Sequence, residues 1–192
     1  EYFRKLALTK ILYNYGGMLV EPSFILFKSL KPIYEKVLNS NKMCVAEFPN
    51  RSSNSHIINF MPSTKFIGCI KHCPKMHEFE NHLEILFSKD NTNEINIEDQ
   101  INKWLYNHTQ NNTINYIDGA FIGTKDSENK IIELDRLLGS TYLDLNINTY
   151  GLYIPKDELL KRNNYNWFVN LNGNEILESN TNIGKYLLLS NN

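Results

Sequence analysis

The chain has no surplus of charge, no long apolar run and none of the short motifs that announce the common enzymes. Its 20 Lys and Arg stand against 21 Asp and Glu, a formal net charge of -1. No basic field therefore advertises nucleic acid or an anionic membrane as a partner. No stretch approaches the roughly 18–20 apolar residues that cross a bilayer as a helix. Walker loops, GxGxxG, HExxH and GxSxG are all absent, so function has to be read from less familiar patterns. Cysteine is scarce: Cys44, Cys69 and Cys73 cannot all pair. An odd count favours a reducing, intracellular compartment, and the expectation is cytoplasmic. The opening residues, EYFRKLALTK, lack an initiator Met and the apolar centre of a signal peptide. They enter helical periodicity at once, and the expectation is a fragment of a longer chain.

What is present is a core. Hydrophobic residues make up 42% and aromatic residues 12% of the 192 positions, enough for one folded domain. The reading is a single domain over 1–192, with 1–90 as one half and 91–192 as a half of helices and a hairpin. Leu8, Ile11, Leu12 and Tyr15 fall at i, i+3, i+4 and i+7, a helical face. Gly16 suits the left-handed position that stops such a helix, and MLV at 18–20 reads as a short buried strand. Further strands are expected at 43–48 and 57–61, with a polar loop at 49–54 between them. Helices are expected at 32–38, 74–87 and 97–108, with a polar linker at 90–96. Asp118-Gly119 reads as a two-residue turn inside a hairpin over 115–124. Helices at 131–138, 157–162, 174–179 and 182–189 and a strand at 150–154 complete the pattern. Asn174 and Asn182 are candidate caps. The class is α/β, with a mixed sheet flanked by helices.

Three constellations carry chemistry on paper. Cys69, His72, Cys73 and His77, with His82 further on, offer zinc-type ligands, but no Cys-x2-Cys knuckle exists and Pro74 divides the set. The preferred reading is a loop with buried cysteines and a helix showing His77 and His82 to solvent. Tyr150, Tyr153, Tyr165, Trp167 and Phe168 read as core before they read as a stacking surface for sugars or bases. Asn50, Asn107 and Asn111 begin glycosylation sequons that the abundance of Asn makes by chance.

The stretch YNYGGMLVEPS at 13–23 is the most informative. Its helix–Gly-Gly–strand–acid layout resembles the DXD-type sugar-binding glycosyltransferases of the GT-A fold. Leu12-Tyr13-Asn14-Tyr15-Gly16-Gly17 carries the match, with weaker likeness at 59–61, 71–86 and 118–188 to glycosyltransferase-like proteins of giant DNA viruses. The resemblance implies a Rossmann-type mixed sheet whose first strands lie upstream. It also implies a nucleotide-sugar donor, a glycan or protein acceptor, Mn²⁺ or Mg²⁺ as cofactor, and no nucleic acid. It assigns donor binding to Gly16, Gly17, Glu21 and Ser23, and metal binding to Glu21. The family's four polar donor positions fall here at Leu6, Thr9, Glu21 and Ser23, and only Glu21 keeps a charge. A unit charge 4 Å from a cation is worth about 4 kcal/mol at an effective dielectric of about 20, before desolvation. One carboxylate in place of two therefore weakens such a site severely. Three readings stay open: an active transferase using Glu21 or a metal-independent donor site, an inactive domain of the same fold that binds or builds, and an α/β domain unrelated to that family. Arg4, Lys10 and Arg51 are the candidate phosphate-neutralising cations of the first, and Asp118 and Asp126 its candidate acceptor-side bases.

Overall fold

The computed structural model describes residues 2–52, 55–88 and 97–190. The polar linker read at 90–96 and part of the 49–54 loop lie outside the described residues. The chain divides into two units, Glu1–Glu21 with Leu30–Asp118, and Pro22–Ser29 with Gly119–Asn192.

The first unit is built from α1 (Tyr2–Tyr15), β1 (Gly17–Val20), α2 (Lys31–Ser40), β3 (Cys44–Pro49), β4 (Phe60–Cys69), α3 (Pro74–Ser88), α4 (Ile97–Gln110) and β5 (Asn115–Ile117). Its sheet has the order β1-β4-β3-β5. β4 runs antiparallel to both β1 and β3, while β3 and β5 are parallel. It follows that β1, β3 and β5 all point the same way. Cys44, Val45 and Ala46 are fully buried one after another, so both faces of β3 are covered. Helices flank this mixed sheet. Leu12 from α1, Met76, Phe79, Leu83 and Leu86 from α3, and Ile101 and Leu105 from α4 close over Val45, Ile67 and Cys69.

The second unit holds β2 (Phe24–Leu26), paired antiparallel with β6 (Gly151–Tyr153), and the short helices α5 (Leu134–Leu138), α6 (Lys156–Lys161), α7 (Asn166–Val169), α8 (Gly173–Glu178) and α9 (Asn182–Ser190). Ile25, Leu137, Leu143, Leu152, Phe168 and Ile183 form its core.

Several expectations need correction. The hairpin over 115–124 does not form: β5 ends at Ile117 and pairs in parallel with β3, and Gly119–Phe121 is a 3₁₀ turn. The strand expected at 57–61 runs instead over Phe60–Cys69: Pro62 lies where β4 pairs with β3 alone, so its missing N–H costs no second ladder, and Gly68 pairs with both β1 and β3. In α1 the buried residues are Thr9 and Leu12, while Ile11 and Tyr15 of the expected face are 51% and 78% exposed. Apolar residues lie all round this helix, so periodicity alone does not choose its face; packing against α3 does. Asn172, not Asn174, caps α8, its side chain accepting from the Glu175 N–H while the Glu175 carboxylate accepts from the Asn172 N–H. At α9 the hydroxyl of Thr181 accepts from the Gly184 N–H. The Asn182 amide instead donates to the Arg136 and Thr141 carbonyls at 2.8 and 2.6 Å.

Candidate functional site

Helix α1 stops because Gly16 turns left-handed at φ +70° while its N–H donates to the Leu12 carbonyl at 2.8 Å. Two further donors finish that helix end. The His72 N–H reaches the Tyr13 carbonyl at 2.7 Å, and the Cys69 thiol reaches the Leu12 carbonyl at 3.3 Å. A Cβ on Gly16 would stand 2.7 Å from the Lys71 backbone nitrogen. Gly17, at φ +113°, meets nothing and serves only to swing the chain into β1, opposite Cys69. The Gly-Gly pair is thus a joint between α1, β1 and the end of β4, and its demand for glycine is conformational.

Glu21 leaves the far end of β1, its N–H donating to the Lys65 carbonyl at 2.9 Å. Ser23 belongs to the second unit, where its carbonyl accepts from the Ile154 N–H at 2.9 Å and its hydroxyl is buried without a hydrogen-bond partner among the described residues. Leu6 packs on the first unit's core, and Thr9 is buried with its hydroxyl turned back to the Lys5 carbonyl at 2.9 Å. Neither faces a ligand.

The register of the sheet gathers other groups. Glu47 follows Ala46, and Asp118 follows Ile117, in a parallel pair where Ala46 and Ile117 are partners. Asp118 stands just past the carboxyl end of β5 and Glu47 within the carboxyl half of β3, toward the same end of the sheet as Glu21 at the exit of β1. Glu47 is 9% exposed and bonded to the hydroxyl of Tyr116, whose ring is half-exposed. Lost hydration, then the charge of Glu47 and the hydrogen bond to it, and then the charge of Asp118 hold the Tyr116 phenol in its protonated form. A buried carboxylate bonded to a phenol, with the exposed carboxylate of Asp118 nearby, is the polar group this register brings together. Glu47 and Tyr116 lie 69 positions apart in the sequence, and only strand register brings them together.

Asp126 does not fit a base. Burial alone would raise its pKa, but the Arg136 guanidinium at 2.7 Å and the backbone N–H groups of Lys130 and Glu128 outweigh burial and hold the carboxyl below its usual range. It is a fastener for the 126–130 loop. Lys10 is engaged by Glu84 at 2.7 Å. Asn50 is buried, its amide donating to the Ile58 carbonyl and its oxygen accepting from the Ser52 N–H and hydroxyl, so its sequon is a loop clamp. Tyr153, Tyr165 and Phe168 are core residues, while Trp167 is exposed. His77 is exposed, stacking on Tyr13, whereas His82 is half-buried on Trp104.

Mn²⁺ or Mg²⁺ asks for about six hard oxygens in a tight shell. Glu21 is one carboxylate, and among the described residues no three His, Cys, Asp or Glu gather to hold a metal ion. The residues present do not fit a cation held by the protein alone. Cys69 and Cys73 are buried in the core, and burial raises the Cys69 thiol to about 12. No helix among the described residues is long and apolar enough to cross a membrane. Comparison with protein-family models, with curated proteins and with solved structures returns no match.

Proposed function

We propose that the chain is a glycosyltransferase-like domain that moves a sugar from a nucleotide-sugar donor to a hydroxyl of a glycan or protein acceptor, with an altered DXD site. The observation that carries this reading is the delivery of Glu21, Glu47 and Asp118 to one end of three strands that run the same way. In open α/β sheets the crevice at the strands' carboxyl ends is where ligands bind. Glu47 is the acceptor-side base: it takes the proton as the acceptor oxygen bonds to the sugar's anomeric carbon. The bond from that carbon to the diphosphate breaks, and the nucleoside diphosphate leaves with the electron pair. The Tyr116 hydroxyl donates to the Glu47 carboxylate and holds it in place on β3. Arg51, on the loop leaving β3 at the same end, neutralises diphosphate charge in place of a carboxylate-held metal.

A second reading, a domain of the same fold that binds without catalysis, draws on the engagement of Lys10 by Glu84 and on the lone acid at the exit of β1. Both are tested by incubating the full chain with a panel of nucleotide sugars and Mn²⁺, following nucleotide release and melting temperature together. The active reading expects both to respond, with release lost in Glu47→Gln and in Glu21→Ala. Stabilisation without release selects the binding reading. No response of either kind to any donor overturns the proposal.

A further inference from the structure

We propose that the first unit carries a second ligand site, at the Gly16 end of β1, which takes a phosphate monoester borne on a ring. The four residues of β1 separate it from Glu21 by about 13 Å at ~3.3 Å per residue. It does not rest on the glycosyl-transfer reading.

A concavity of about 310 Å³ is lined by Lys10, Ile11, Asn14, Tyr15, Lys71 and His72. Its apolar lining comes from Ile11 and Tyr15, two of the α1 residues that the core leaves exposed. Its uncompensated charge comes from Lys71. Lys71 is exposed and has no acidic partner among the described residues, whereas Lys10 is engaged by Glu84. His72 holds a left-handed backbone at φ +57°, a conformation non-glycine residues seldom keep without a surrounding that fixes it. Here the fixing contacts are the hydrogen bond from its N–H to the Tyr13 carbonyl and the edge-on packing of its ring with Tyr13 at 5.3 Å. The seating of Gly16 against the Lys71 nitrogen pins the neighbouring residue as well. Lys71 and His72 are therefore held side by side before any ligand arrives.

Cations beside a helix C-terminus also complement its dipole. That effect accounts for Lys71 but not for the concavity or for an exposed Tyr and Ile facing it. An ammonium and an imidazole suit phosphate oxygens, and the Tyr15 ring with Ile11 suits a flat or apolar body. The amide of Asn14 donates to the Lys10 carbonyl at 2.8 Å, which turns its own oxygen into an acceptor for a ligand hydroxyl. The volume is at the lower end for small-molecule sites. A sugar phosphate and a nucleoside monophosphate share this chemistry.

The test is calorimetric titration of the full chain with inorganic phosphate, glucose 1-phosphate and UMP, repeated for Lys71→Ala, Lys71→Arg and Tyr15→Ala. All three substitutions are at exposed positions, and circular dichroism checks their folding. The expected result is that at least one ring-bearing ester binds ~10-fold tighter than inorganic phosphate, the better one identifying the source. Lys71→Ala should weaken it at least ~10-fold, Lys71→Arg should retain it, and Tyr15→Ala should remove the advantage over inorganic phosphate. No saturation of either ester at ~10 mM, or affinities unchanged in Lys71→Ala and Tyr15→Ala, would overturn the site.

Discussion

Gly16 and Gly17 look interchangeable in the sequence and are not so in the fold. An alanine at Gly16 meets the Lys71 backbone at 2.7 Å as well as a positive φ, whereas at Gly17 only the φ objects. Gly16→Ala should cost at least about 3 kcal/mol, and Gly17→Ala about 1–2 kcal/mol, in denaturant unfolding. Ser23 separates structure from ligand binding. Its hydroxyl is buried without a partner among the described residues, and an unmet group of this kind costs about 1–3 kcal/mol. Ser23→Ala should therefore raise the midpoint of unfolding; if donor stabilisation falls in the same variant, the hydroxyl serves the ligand. Asp126 gives a pH signature. Its folded carboxyl sits below its unfolded value, so the stability it brings is complete above pH ~4 and is lost as pH falls through the folded value. Asp126→Ala should cost about 2–3 kcal/mol at pH 7, and the difference from wild type should shrink below pH ~4.

At the scale of elements, the helix at the Gly-Gly joint and the strand after it were legible because each rests on local chemistry, a left-handed stop and then an unbroken apolar run, although that strand is half-buried at the sheet's edge. Pro74 at the start of α3 and the spacing of Met76, Phe79, Leu83 and Leu86 were legible for the same reason. What was not legible depends on partners far along the chain. Asp118-Gly119 has the composition of a tight turn, yet β5 pairs in parallel with β3 some 70 residues earlier. The face of α1 was misread because nothing in Ile11 or Tyr15 marks them as exposed. Asn182 was taken for a cap, whereas its amide ties the start of α9 to the carbonyls of Arg136 and Thr141. Asn182→Ala strands both carbonyls and should cost about 2 kcal/mol, read as a lower melting temperature with little change in helical signal.

Over the whole molecule, the alternation of expected strands and helices identified the α/β class and composition the near-neutral charge. Glu21 could be found from the sequence because it follows a motif. Glu47 and Tyr116 could not, since a carboxylate and a phenol 69 positions apart become a pair only through the parallel register of β3 and β5. Glu47 thereby becomes the residue on which the transferase reading turns. The most direct measurement is the rate of nucleotide release from a nucleotide sugar by wild type and by Glu47→Gln, with melting temperature recorded for both. A base that takes the acceptor's proton contributes about 10²–10⁴-fold. The account predicts a fall of at least ~100-fold in release with donor stabilisation retained. Equal rates in the two proteins would contradict it.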